Sequence, residues 1–327
     1  CKIINVKRWI KIGFVLLIFP GWLMAQGGEA SFIHLSVEND LFIFKGNTTD
    51  RYYTNGVRLD YFYKIKKRKF PSSLLLKISD DKNIYGMGIA QYMFTPSQID
   101  IVTVQYNDRP YAGALFAIHS LGSYDYSKKI KLTSELYIGV MGPLSLAEET
   151  QIWVHGLFDY TKPEGWSNQV PNDIIINYNL RLEKEIIYIP KKLFLTGTVE
   201  TFNGTLYNAM GAGFILRLGR VNNFLEQNVE SISGKRKSQL YVILKPTVRA
   251  IYYNALLQGG IITNMKKSHE GYILNKDQIE RISVFTEAGI VYERPKINFM
   301  LKQKMRTSPI KGGNALEVGN LSVGFKL

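Results

Sequence analysis

The sequence predicts an all-β fold: a single antiparallel transmembrane β-barrel of about twelve strands, with one short helix in an outer loop. Three observations lead there. The chain opens on an export leader, it alternates apolar and polar residues in segment after segment, and the last such segment runs to the final residue.

The leader comes first. Lys2, Lys7, Arg8 and Lys11 precede an apolar run from Ile12 to Met24 that closes on Leu23-Met24-Ala25-Gln26. A positive head, a short apolar middle and a small residue at the end describe a secretory signal peptide with cleavage near Ala25. Residues 1–25 are therefore expected to be the leader and 26–327 the barrel domain. Cys1 precedes the leader, so the mature chain is expected to be cysteine-free, which excludes a disulfide framework and a Cys-rich zinc module.

Composition narrows the class. With 46% hydrophobic residues among 327, the chain is too apolar for disorder, and 21% charged residues spread throughout exclude a polytopic helical membrane protein. The formal charge of +14 suits nucleic acid, an anionic membrane or a phosphorylated substrate. Export removes nucleic acid from that set.

The strands follow. Ile33, Leu35 and Val37 alternate with His34, Ser36 and Glu38; Val57, Leu59, Tyr61 and Tyr63 alternate with Gly56, Arg58 and Asp60; Leu321, Val323, Phe325 and Leu327 alternate with Ser322, Gly324 and Lys326. Period-two patterning of this kind fits a soluble sandwich or a barrel whose apolar face meets lipid. The leader, the terminal strand, the many Tyr and Phe and the scarcity of helical periodicity favour the barrel. Twelve strands are predicted at 31–38, 52–63, 83–93, 111–121, 129–141, 174–188, 191–202, 207–219, 238–252, 281–292, 295–304 and 316–327. With both termini periplasmic, the odd-numbered connections lie outside. The basic clusters Lys64, Lys66–Lys69 and Lys235–Lys237 then fall on the periplasmic side, where they read as solvated turns, with anchorage of the inner rim to lipid head groups as the alternative.

Chemistry gathers in the first, third and fifth connections. The first carries Glu38-Asn39-Asp40 and Thr49-Asp50-Arg51-Tyr52-Tyr53-Thr54-Asn55-Gly56. These hard oxygens suit calcium, and equally an Asn/Asp-rich hairpin. The third ends in Asp108-Arg109-Pro110-Tyr111-Ala112-Gly113, read as a structural brace of the lumen. The fifth holds the one convincing helix. Ser145 and Glu148 have capping-box spacing, and Glu148, Gln151 and His155 share a face. Folded over the barrel mouth, this helix would present His155 inward as a general base. His34, His119 and His269 read as solvated.

Asn39-Asp40, Thr54-Asn55-Gly56, Asp108-Arg109-Pro110-Tyr111-Ala112-Gly113 and Gly142-Pro143…Gln151…His155…Gly165-Trp166…Gln169 together resemble the outer-membrane lipid A 3′-O-deacylase family. The likeness in motifs spans about residues 31–170, and the strand pattern extends it to the C-terminus. It implies a twelve-stranded barrel, monomeric in the bacterial outer membrane, with lipopolysaccharide as partner amid outer-membrane lipids. It implies calcium-dependent hydrolysis of the ester that holds the 3′-linked acyloxyacyl group of lipid A. His155 matches the family's catalytic His, Asn39 and Asp40 its Asn-Asp pair, and Thr54 a further active-site position; Asp40 would ligate calcium. The chain departs from the family at Thr161, where a Glu is expected six residues after the His; Asp159 and Glu164 stand nearby as substitutes. An outer-membrane phospholipase and a non-enzymatic porin are the alternatives.

Overall fold

Twelve strands close on themselves in the computed structural model, which describes residues 31–39, 55–65, 67–222, 238–266 and 271–327. They are β1 (Phe32–Asn39), β2 (Asn55–Tyr63), β3 (Lys82–Phe94), β4 (Ala112–Asp125), β5 (Ile130–Met141), β6 (Asp173–Ile189), β7 (Leu193–Gly204), β8 (Tyr207–Arg220), β9 (Gln239–Asn254), β10 (Ile282–Glu293), β11 (Ile297–Arg306) and β12 (Leu316–Lys326). Each pairs antiparallel with its chain neighbours and β1 pairs with β12, so no strand edge is left open. The predicted strands are found within a few residues of their expected ends. The leader, the 40–54 connection, Lys66, the Lys235–Lys237 cluster and His269 lie outside the described residues.

Alternation assigns each side chain to a face. On β1, Ser36 and Glu38 point into the lumen: the Ser36 hydroxyl receives Asn320 Nδ2 at 2.8 Å, and Glu38 pairs with Lys304. Leu35, Val57, Leu321 and Phe325 point outward and stay exposed. A bulge between Glu185 and Ile187 lets two successive isoleucines, Ile186 and Ile187, face outward on β6. Among the described residues no helix is long and apolar enough to cross a membrane; the outward strand faces carry the exposed apolar side chains.

Charged side chains bridge the lumen and line a cavity of about 490 Å³. At mid-height Glu200 receives Arg249 Nε at 2.6 Å and Arg181 Nε at 3.1 Å, Arg58 bridges Asp60 and Glu135 at 2.8 Å each, and Lys245 and Lys302 share Glu287. Apolar clusters close both ends: Phe32, Phe194 and Tyr241 below, and Phe94, Phe116, Val170 and Leu206 above. His34 belongs to this interior, with Nδ1 3.9 Å from Asp60, which corrects its reading as a solvated residue. Arg109 is also interior. Its guanidinium lies 4.1 Å over the Phe94 ring, while the Asp108 carboxylate accepts the amides of Ser97 and Arg109.

Among the described residues, three helices sit in the outer connections: α1 (Ala147–Phe158), the predicted one, and the short α2 (Ala255–Gln258) and α3 (Ile261–Lys266), which carry too few turns to show a period in sequence. On the opposite side, the connection 64–81 does not behave as a solvated turn. It climbs the outside of the wall as a strap, seating Leu75 against Tyr85 and Leu121. Ser72 Oγ lies 3.1 Å from His119 Nε2, so His119 is buried under the strap and not solvated.

Candidate active site on the outer wall

Pairing register lays out a row across four strands. Asn39 pairs with Asn55, Asn55 with Met93, and Met93 with Gly113. Glu38 and Phe94, the chain neighbours of Asn39 and Met93, face inward, so by alternation this row faces out. It lies near the end that carries the long connections.

The fifth connection packs onto that row. A 3-10 turn over Gly142–Ser145 leads to Leu146 in a left-handed conformation (φ 58°), and α1 begins at the next residue. The expected capping box does not form. The Ser145 hydroxyl donates to the Gly142 carbonyl at 2.6 Å, and no side chain caps the helix. Glu148 stays half-buried, where desolvation and then the adjacent Glu149 carboxylate push its carboxyl above the usual range. The Ser145 carbonyl instead accepts Gln91 Nε2 at 2.8 Å from β3. Gly113 lets the turn come this close, because a Cβ there would run into Ser145 Oγ and Ala147 Cβ. The helix therefore lies on the outside of the barrel wall, not across its mouth as the sequence suggests.

The buried face of α1 is Ala147, Gln151 and His155, at i, i+4 and i+8. Trp166, from a 3-10 turn at Gly165–Asn168, wedges beside it against Met93, Tyr111 and Ala147, with its ring centroid 4.9 Å from that of Tyr111. A chain of hydrogen bonds then orients the imidazole. Trp166 Nε1 can only donate, and it does so to Gln151 Oε1 at 2.7 Å, which turns the Gln151 amide nitrogen toward His155 Nε2 at 3.5 Å. His155 Nδ1 sits 2.6 Å from the Thr161 carbonyl, which can only accept. The network thus places the ring proton on Nδ1 and leaves Nε2 as the basic nitrogen.

The backbone carbonyl of Thr161, rather than a side-chain carboxylate, holds Nδ1. Of the two suggested substitutes, Glu164 lies 3.5 Å from Lys162 and Asp159 is exposed at the helix C-cap.

Of the predicted site residues, His155 is buried on the outer wall and Asn39 ends β1 in the same row. Asp40 and Thr54 lie outside the described residues; in the chain they adjoin Asn39 and Asn55. Sequence reasoning missed Asn55, Trp166 and Gly113 as parts of the site. The i, i+4 spacing of Gln151 and His155 and a donor-only indole nearby were the available signals for the Trp166–Gln151–His155 chain. Only strand register reveals the other two. Asn55 Oδ1 is buried without a hydrogen-bond partner. Among the described residues no three His, Cys, Asp or Glu side chains group as a metal site. Around the helix, Leu144, Trp153, Leu157 and Phe158 remain exposed, an apolar fringe beside the imidazole.

Comparison with known proteins agrees with this architecture. LpxR from Salmonella typhimurium superposes with a TM-score of 0.72 at 20% identity, over 90% of this chain and 99% of that one. The β domain of the Bordetella autotransporter BrkA gives 0.43 at 10% identity, over 91% and 99% of the two chains. No curated protein sequence matches. The family model described as outer membrane protein LpxR matches residues 12–327. A match over nearly the whole length, on a closed twelve-stranded barrel, places this chain in the LpxR family of outer membrane proteins.

Proposed function

We propose that this barrel is a lipid A deacylase that hydrolyses the ester of the 3′-linked acyloxyacyl group. One observation carries the reading: a buried imidazole with its tautomer set by a carbonyl sits on the membrane-facing side of the wall, beside an exposed apolar fringe. A lipid in the outer leaflet reaches such a site without leaving the bilayer.

The chemistry builds on the hydrogen bonds. Once the long contact from the Gln151 amide opens, His155 Nε2 takes a proton from water, and the oxygen bonds to the ester carbonyl carbon. Collapse of the tetrahedral species breaks the bond to the sugar oxygen, and His155 returns the proton to that oxygen. The products are a 3′-hydroxyl and a free acid. The Thr161 carbonyl would steady the imidazolium between the two transfers, and the Asn39 amide would donate to the developing oxyanion. No serine nucleophile is needed.

Calcium suits the donors at the row's end. The unpartnered Asn55 Oδ1, the neighbouring Asn39 and the carboxylate of Asp40 are the hard oxygens it prefers. Bound there, it would polarise the ester carbonyl as a Lewis acid.

Mass spectrometry of lipid A from an expressing host tests the reading. The expected result is loss of the 3′-linked acyloxyacyl group, abolished by His155→Ala while the barrel still shows its heat-modifiable gel shift. Unchanged lipid A with phospholipid breakdown would make it a phospholipase. Unchanged lipids of both kinds would make it a non-enzymatic barrel.

A further inference from the structure

The strap over residues 64–81 lies far from the site, on the opposite end of the barrel, and the proposed activity makes no use of it. Its contacts fix how deep it sits. Ser134, four residues in from the periplasmic start of β5, donates to the Leu76 carbonyl at 2.9 Å. Ser123 Oγ accepts the Ile78 amide at 3.1 Å, and the Tyr178 hydroxyl joins the Leu76 amide to the Leu74 carbonyl. His119, six residues in from the end of β4, faces Ser72. At about 3.4 Å per residue on strands tilted by about 40°, these anchors lie roughly 10–15 Å up the wall. That depth falls within the half of a hydrocarbon core about 30 Å thick.

Irregular backbone at membrane depth survives only where protein satisfies it. The strap meets this condition. Its carbonyls and amides bond to the wall, and Arg68 turns back onto the carbonyls of Ser72, Ser73 and Leu75. Its outward side chains are what lipid requires: Phe70 is 79% exposed, Leu74 50% and Leu76 52%. At the strap's start lie Lys64, Lys67 and Lys69, and no acidic residue precedes Asp80 in the segment. Long lysine stems beside an inserted Phe bring their ammonium groups to headgroup level.

We propose that this strap is an anionic-phospholipid binding surface, seated in the periplasmic leaflet with Phe70, Leu74 and Leu76 among the acyl chains and Lys64, Lys67 and Lys69 on the phosphates. The surface is continuous with the barrel's lipid-facing wall, and its cations complement anionic headgroups.

The test uses the whole barrel in nanodiscs of phosphatidylcholine with a minority of phosphatidylglycerol, extracted gently and weighed by native mass spectrometry with its retained lipids. Wild type should retain phosphatidylglycerol well above its share of the bilayer. Lys64→Gln/Lys67→Gln/Lys69→Gln should lower that preference about tenfold or more. Lys162→Gln/Lys276→Gln/Lys311→Gln, an equal charge loss in the outer connections, should leave it intact. Equal retention by wild type and the strap variant, or equal loss in both variants, would overturn the proposal. A second measurement stands even if the triple variant fails to fold. The indole introduced by Phe70→Trp, in a Trp153→Phe/Trp166→Phe background, should be quenched more strongly by brominated phosphatidylglycerol than by brominated phosphatidylcholine. An unquenched, water-exposed emission would show the strap lying outside the bilayer and would refute the idea.

Discussion

Gly113→Ala is the sharpest test of whether the helix that carries His155 must lie flush on the wall. A Cβ at this position falls well inside 3.0 Å of both Ser145 Oγ and Ala147 Cβ, whereas ordinary contact begins at 3.4 Å. The serine hydroxyl can rotate away; the alanine methyl cannot. The start of α1 must therefore retreat by about 1 Å, at a packing cost of about 1–3 kcal/mol. His155 lies on the same rigid helix, so the shift carries to Nε2, and a misplacement of about 1 Å in a catalytic group costs about 100-fold in rate. The assay is the rate of 3′-acyl release from lipopolysaccharide by purified barrel, with the heat-modifiable gel shift confirming the fold. Gly156→Ala is the matched control: it places a methyl on the same helix where nothing lies within 4 Å, and should leave the rate within about twofold while strengthening the helix. Full activity in Gly113→Ala would refute the claim that the wall positions the imidazole.

Thr161→Ala should release acyl groups within about twofold of wild type, because the backbone carbonyl rather than the side chain holds His155 Nδ1; a large loss would return the orienting role to the hydroxyl. Trp166→Phe frees the Gln151 amide to flip, and should lower the turnover rate by about tenfold or more with little change in apparent substrate affinity, read from initial rates against lipid concentration. Chelating calcium should stop release and its re-addition should restore it, with Asn55→Leu demanding more calcium for half-maximal rate. In the lumen, Glu200→Gln leaves Arg181 and Arg249 facing each other without their shared carboxylate and should cost about 3–5 kcal/mol in urea unfolding of the reconstituted barrel, with the site chemistry unchanged under native conditions.

Strand positions were legible because a wall one residue thick, with lipid on one side and a polar lumen on the other, imposes period two almost without interruption. Leu321 and Phe325 outside and Ser322 inside show the rule at the closing strand. The candidate residues were legible because their types are chemically specific: His155 on a helix, and Asn39 beside Asp40. The side of the wall on which they work was not. That depends on register between strands far apart in sequence, which sets Asn39, Asn55, Met93 and Gly113 abreast, and on the missing side chain at Gly113 that lets a helix dock outside. A backbone carbonyl that orients an imidazole is likewise silent in sequence, since every residue has one.

The basic residues behind the +14 charge, which on composition alone points toward an anionic substrate, stand in unlike settings in the fold. Lumenal cations such as Arg58, Arg181, Lys245 and Arg249 are matched to carboxylates within 3.1 Å. Removing either partner of such a pair exposes the full desolvation cost of the other, so these charges hold the wall together and recruit nothing. The strap's lysines run against no acid until Asp80, where Lys77 takes up the pairing. Charge that is unneutralised locally and sits beside exposed Phe70 has only one counter-surface available at that height, the anionic headgroups. The site itself is apolar and amide-rich rather than basic. A lipid would therefore be drawn to it by the acyl-facing fringe of α1 and by the oxygen donors of the row, and neutralising outer-rim lysines should alter its turnover far less than replacing Trp153, Leu157 or Phe158 with serine.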